Sequence, residues 1–217
     1  MDTQQQAELA ALVGAYCQRD GFTDTTIPSL RYYRMQERRG QMPVVYNSSL
    51  CLVVQGRKEA MLESEMYRYT ESQHLVVSVD IPAVGQVMQA SPDRPYLCMQ
   101  LNLDPRLLSE LIVQLNWKDI DGNATHRGLF VGTTTAELAD CALRLVRLLD
   151  KPNDVPFLAP LVLREIHYRL LSGEHGRRIA STVLPDSNMQ RISLVFRMLK
   201  RTLPSPFASK RWPKPRE

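Results

Sequence analysis

The sequence predicts an α+β protein: an N-terminal helix, a β-barrel of roughly seven or eight strands, and a C-terminal helical subdomain. Three observations carry this reading. Apolar residues recur at helical spacing at the start, in short strand-like runs between Leu30 and Leu103, and again at helical spacing after Asp104-Pro105. Turn residues break the middle region into closely spaced short runs, as barrels and sandwiches require. A length of 217 residues with 44% hydrophobic content supports one substantial core and excludes a wholly disordered chain.

Taken in order, residues 3–19 place Leu9, Leu12, Val13 and Tyr16 on one helical stripe, and Asp20-Gly21 supplies a stop. The strands follow as LRYYRM, SLCLVV, KEAML, EMYRYT, HLVVSV, GQVMQA and YLCMQLNL, rich in β-branched, aromatic and Met residues. VVQGRKEAML reads as a hairpin turning at Gly56-Arg57, and LESEMYRY as the next reversal. Asp104 can cap a helix whose first turn suits Pro105. PRLLSELIVQL, TTTAELADCALRLVRLLD and APLVLREIHYRLLSG then read as helices, with two shorter ones up to Lys200. GLFVGT reads as a single returning strand, and Pro152 to Pro160 as a linker. The expected boundaries are 1–20 for the helix, 21–104 for the barrel, 105–200 for the helical subdomain with a strand near 128–133, and 201–217 for a tail.

Charge is unevenly placed. Lys and Arg number 27 against 23 for Asp and Glu, a net +4, yet residues 197–217 alone hold seven bases and one acid. The remainder is therefore slightly acidic, which removes any compositional case for a phosphate-binding face on the folded part. Cys17, Cys51, Cys98 and Cys141 are scattered without C-x-x-C spacing, as small buried thiols in a reducing compartment would be. Without a signal-peptide pattern or an apolar run of roughly 20 residues, a cytoplasmic location is expected.

Chemistry leaves little trace. His74, His126, His167 and His175 share no ligand spacing, and G-x-S-x-G, H-E-x-x-H, Walker and dinucleotide patterns are missing, so neither catalytic residues nor a metal or other cofactor is expected. Strand alternation instead suggests an apolar cavity. Leu52 with Val54, and Met99 with Leu101, are taken to face inward, joined by Tyr33 and Met61 because Met and Tyr suit adaptable small-molecule pockets. The helix from Pro160 to Ser172 carries two apolar stripes, more than one core contact needs. The stripe of Leu163, Ile166 and Leu170 is expected to mediate homodimerisation.

LRYYRMQERRGQMPVVYNSSLCLVVQGRKEAML, HLVVSVDIPAVGQVMQASPDRPYLCMQLNLDP and APLVLREIHYRLLSGEHG together resemble the N-terminal domain of a subgroup of AraC-family bacterial transcriptional regulators, over roughly residues 20–195. The resemblance implies a cupin-like barrel (a double-stranded β-helix) followed by helices, which senses an effector or mediates dimerisation. In that family a C-terminal pair of helix-turn-helix motifs binds DNA. Enzymatic cupins carry paired histidines and a Glu on a metal-binding hairpin, whereas GRKEAMLESEMYRYTESQH holds only His74. The expected function is thus an effector-sensing, dimerising regulatory domain without specific DNA binding of its own and without membrane association. A small metal-free cupin-type enzyme acting on a metabolite is the alternative.

The ending RTLPSPFASKRWPKPRE departs from the family, in which the recognition helices would follow. It is expected to be an out-of-frame reading of the start of that region. Restoring one base after Arg201 in a permitted encoding yields KRNFAQPLRVEALAEAAGM, a Pro-containing lead into a helix and a Gly turn. Such a tail would be non-native and poorly ordered, and reading the gene's nucleotides decides it.

Overall fold

A computed structural model describes residues 1–117, 120, 128–183 and 198. The tail at 201–217, and most of the stretch read as two shorter helices up to Lys200, lie outside the described residues.

Helix α1 (Thr3–Tyr16) starts with a capping box: the Asp2 carboxylate accepts the Gln5 N–H at 2.7 Å, and the Gln5 side chain accepts the Asp2 N–H at 3.1 Å. It buries Leu9 and Val13. Ten strands follow: β1 (Gly21–Asp24), β2 (Leu30–Met35), β3 (Arg39–Tyr46), β4 (Ser49–Gln55), β5 (Arg57–Leu62), β6 (Glu65–Thr70), β7 (Gln73–Val77), β8 (Ile81–Gln89), β9 (Tyr96–Asn102) and, after helix α2 (Pro105–Gln114), β10 (Leu129–Thr133). Helices α3 (Ala136–Leu148), α4 (Val155–Ser172) and α5 (Gly176–Val183) complete the described elements. Asp104 caps α2 through its carboxylate, with Pro105 in the first turn.

The strands form two antiparallel sheets rather than a closed barrel. One has six strands in the order β1-β2-β9-β4-β7-β10, the other four in the order β3-β8-β5-β6. Regularly spaced short strands suit barrel and sandwich alike, so their spacing alone leaves closure open. The expected hairpin at Gly56-Arg57 is also corrected. β4 pairs with β7 and β9, while β5 pairs with β6 and β8, so Gly56 is the corner where the chain changes sheets. Its φ of +86° suits glycine, and a Cβ there would stand 2.5 Å from the Gln89 carbonyl oxygen.

The six-stranded sheet is the middle layer. On one side Leu50, Leu52, Val54, Val76, Met99 and Leu101 join the core formed by the helices. On its other side Cys51, Val53, Leu75, Val77, Tyr96 and Cys98 meet the four-stranded sheet through Tyr46, Ala60, Tyr69, Ile81 and Val87. The far face of the four-stranded sheet is largely solvated, and β8 alternates buried with more exposed residues accordingly.

The linker expected at Pro152–Pro160 is mostly helix. α4 begins at Val155, carries Pro156 in its first turn, and accepts Pro160 further in, at the loss of a backbone hydrogen bond. His167 anchors α4 to the start of α2: its Nε2 accepts the Asp104 N–H at 2.9 Å while Nδ1 stands 2.7 Å from the Leu163 carbonyl oxygen. Those partners fix the neutral imidazole with its proton on Nδ1.

Candidate ligand-binding site

The polar groups that chemistry could use lie between the two sheets. β5 brings Lys58 to that face, directly across from Tyr69 of β6 and sharing its side with Ala60 and Leu62. The Lys58 Nζ stands 5.3 Å from the centre of the Tyr33 ring and 5.2 Å from that of Tyr46, so two aromatic faces flank the ammonium. Tyr33 in turn meets Tyr96 edge-on at 6.1 Å and Phe22 at 4.7 Å. Among the described residues no carboxylate lies within ion-pair distance of Lys58.

Three phenol hydroxyls share this condition. Tyr46, Tyr69 and Tyr96 are 5%, 1% and 1% exposed, and none of their oxygens has a hydrogen-bond partner of good geometry within the described chain, the weak contact of Tyr96 with the Cys98 thiol aside. Such buried groups are normally satisfied, so three in one interior form a coherent feature rather than scatter. Gly85 makes room for them: a Cβ there would come within 2.7 Å of the Tyr46 hydroxyl and 3.6 Å of Lys58 Cε.

Burial pushes the Tyr69 and Tyr96 phenols well above their ordinary pKa, which keeps them protonated donors. Burial also opposes the charge on Lys58, but the surrounding Tyr46, Cys51, Cys98 and Tyr33 groups outweigh it and raise the lysine. Cys51 and Cys98 lie on the same face, Cys51 beside the Ser49 hydroxyl at 3.7 Å and Cys98 donating to the Met99 carbonyl at 3.6 Å. The neighbouring Cys98 thiol lowers Cys51 to about 7 against the cost of burial, and Cys98 is raised in exchange.

Against this geometry the expected pocket residues divide sharply. Tyr33 faces the inter-sheet interior. Leu52, Val54, Met99 and Leu101 are buried on the opposite side of the same sheet, against the helices. Met61 alternates away from Ala60 and Leu62, toward the outer face of the four-stranded sheet. The structure therefore does not bring the six together. Of the stripe expected to mediate dimerisation, Ile166 and Leu170 are buried in the chain's own core and Leu163 packs against it. Exposed on α4 instead are Phe157 (76%), Leu161 (64%) and Tyr168 (46%). Beside them a groove of about 280 Å³ runs between α3 and α4, lined by Leu148, Leu158, Leu161 and Val162 with Arg147 and Lys151.

Sequence reasoning missed Lys58, Tyr46, Tyr69, Tyr96, Cys51 and Cys98. One signal was present: in KEAML a lysine shares a strand face with Ala60 and Leu62, an unusual place for an ammonium.

The profile of the family described as AraC-type transcriptional regulator N-terminus matches residues 26–178. The chain belongs to that family. This N-terminal domain of an AraC-type regulator also resembles solved structures of ToxT from Vibrio cholerae. One, bound to an unsaturated fatty acid, has a TM-score of 0.53 at 10% identity over 82% of this chain and 65% of the other. A second, from strain O395 and bound to (E)-4-(8-methylnaphthalen-1-yl)but-3-enoic acid, has a TM-score of 0.52 at 12% identity over 87% of this chain and 68% of the other. The chain thus spans about two thirds of the length of ToxT. At these identities the likeness shows the fold, a cupin-like sandwich. No curated protein matches the chain. Among the described residues no three His, Cys, Asp or Glu side chains are grouped as a metal site, and no helix is long and apolar enough to cross a membrane.

Proposed function

We propose that this regulatory domain binds a small organic effector between its two sheets and transmits occupancy through a homodimer, in the cytoplasm and without catalysing a reaction. The observation that carries the reading is the set of unpartnered polar groups in the sandwich interior of an AraC-type N-terminal domain. A buried hydroxyl without a partner costs about 1–3 kcal/mol, which a bound ligand can return. ToxT, solved with two different organic acids, offers an analogy for effector binding in this fold.

A sensing role is favoured over the metal-free enzyme by the surroundings of the one interior thiol with a lowered pKa. Cys51 is 6% exposed, and the groups that act on it are the Cys98 thiol, Lys58, the Ser49 hydroxyl and Arg31 rather than a histidine or carboxylate base. Dimerisation is assigned to the exposed stripe of Phe157, Leu161 and Tyr168. Specific DNA recognition is assigned to helix-turn-helix motifs of full-length relatives, not to this chain's sheets.

Native mass spectrometry of the purified chain, together with thermal-shift screening of organic metabolites, tests the reading. A stoichiometric adduct, or a ligand that raises Tm in the wild type and not in Gly85→Leu, supports it. Binding that is indifferent to Gly85→Leu places the effector elsewhere, and turnover of a metabolite restores the enzyme reading.

A further inference from the structure

Independently of any effector, we propose that Cys51 and Cys98 form a hydroperoxide-reactive modification site, in which Cys51 is oxidised first and Cys98 closes a disulfide upon it. All four cysteines are free, and only these two lie on a strand face. Where β4 pairs with β9, Val53 stands opposite Cys98 and Cys51 opposite Gln100, so the two thiols are diagonal neighbours on the inter-sheet side. Such diagonal positions are about 7–8 Å apart at Cα and closer at Cβ, within reach of side chains that lean toward one another. Each thiol is also the leading influence on the other's acidity, as neighbouring sulfurs are. A disulfide needs Cα atoms closer than about 7 Å, so its closure draws the two strands together locally. The register shift in β4 between Val53 and Gln55 supplies the slack, because a bulged strand bends where an even ladder resists.

The surroundings separate this pair from Cys17 and Cys141. Lys58 and Arg31 lend positive potential to Cys51, and with the Cys98 thiol they hold it at about 7, which leaves thiolate at neutral pH. Cys141, by contrast, is raised by burial and by Glu165, and Cys17 meets only the Thr23 hydroxyl and the Arg19 carbonyl. Lys58 is half-buried and Phe22 on β1 is exposed, so this end of the interior meets solvent, and hydrogen peroxide is little larger than water. The chemistry is stoichiometric and needs no general base. The Cys51 thiolate attacks one peroxide oxygen and displaces hydroxide, which leaves a sulfenic acid; the Cys98 sulfur then displaces the hydroxyl from Cys51, and two thiols and one peroxide have become a disulfide and two waters. Cys98 is held high by Cys51 and by burial, and the first of these influences ends once Cys51 carries oxygen.

The test exposes the full 217-residue chain, reduced and freed of reductant, to a slight excess of hydrogen peroxide, followed by alkylation and peptide mapping without reduction. An intramolecular disulfide between Cys51 and Cys98 is expected about ten-fold or more faster than any change at Cys17 or Cys141, and urea should abolish that selectivity. In Cys98→Ser the reaction should stop at a Cys51 sulfenic acid that dimedone traps, whereas Cys51→Ser should leave Cys98 reduced over the same interval. Lys58→Met should slow the wild-type reaction by about three-fold or more through a smaller thiolate fraction, with circular dichroism establishing that each variant is folded. Oxidation of all four thiols at similar rates in the folded chain overturns the proposal, as does a pair that stays reduced. A wild type that halts at oxidised Cys51 without the disulfide, or that links Cys51 to another cysteine, overturns it as well.

Discussion

The two faces of the six-stranded sheet are equally buried and chemically unlike. Toward the helices the sheet presents Leu50, Leu52, Val54, Val76, Met99 and Leu101, and the polar groups there are mostly engaged: His167 bridges Asp104 and Leu163, and His74 meets the Thr134 hydroxyl at 3.2 Å. Toward the second sheet it presents Tyr33, Cys51, Tyr96 and Cys98, which face Tyr46, Lys58 and Tyr69. Three phenols on that side have no partner, against Tyr32 alone among the phenols of the helix side. The helix face is organised for stability. The inter-sheet face keeps polar capacity that folding does not use, which is what a ligand site needs.

The most severe way to break this contrast is to place a charge in the helix-side core. Leu170 is 5% exposed on α4, and Leu170→Asp puts an unpaired carboxylate there. A loss of more than about 4 kcal/mol is expected, enough to unfold a domain of ordinary stability. Urea denaturation measures it. A folded Leu170→Asp monomer would instead return the dimer contact to the stripe of Leu163, Ile166 and Leu170.

The same double burial explains why the sequence did not show which residues face the second sheet. In SLCLVVQ and YLCMQLN both alternating sets are apolar because both faces are covered, so period-two patterning shows a strand but not which set faces the other sheet. A shift of one residue exchanged Leu52 and Val54 for Cys51 and Val53. Where a single face is covered, as in β8, the alternation is readable. β3 escaped notice for the opposite reason: its residues are exposed up to Tyr46, and Pro43 speaks against a strand except at a sheet edge, which is where β3 lies. The helices were legible because Asp104-Pro105 marks the start of one and helical spacing of apolar residues marks the others. On α4 the two stripes were visible, but which of them the chain itself buries depends on the packing of α2, α3 and α5 around it.

Acid should erode the helix side selectively. Burial, helped by His175, depresses His74 from 6.5 to about 4, and burial lowers His167 as well. Above pH 6.5 the folded and unfolded chains both hold His74 neutral. Below it the unfolded chain takes up the proton first, so stability falls until the folded pKa is reached. For His74 the loss between pH 6.5 and about 4 is on the order of 3 kcal/mol. Urea midpoints measured at pH 7, 5.5 and 4.5 should fall in that order, and His74→Gln should flatten the decline. An unchanged slope in that variant would show that His74 is not the group responsible.

Between the sheets the sign reverses for side-chain removal. Tyr69→Phe deletes a buried hydroxyl that bonds to nothing in the described chain, and Tyr96→Phe one that meets only the Cys98 thiol, while both keep the ring in place. Each is expected to raise stability by about 1 kcal/mol, the desolvation penalty returned, and to weaken effector binding. A loss of stability in both variants would mean that these hydroxyls already have partners, and the contrast between the two faces would narrow.

The smallest effect on stability is expected at the outer stripe of α4, where the consequence is instead in assembly. Leu161 is 64% exposed and borders the groove that holds Arg147 and Lys151, so Leu161→Arg should change folding stability by less than about 0.5 kcal/mol. In a two-fold dimer the same patch of each copy meets its counterpart, so one substitution is felt twice. An arginine there removes apolar contact and sets a like charge beside its counterpart on the other copy, next to Arg147, Lys151 and Asp154 of the groove, which opposes association. Light scattering should report a dimer for the unmodified chain and a folded monomer for Leu161→Arg, with an unchanged urea midpoint at low protein concentration. A dimer that persists unaltered would move the interface off α4 and leave Phe157, Leu161 and Tyr168 as an exposed apolar face with another partner.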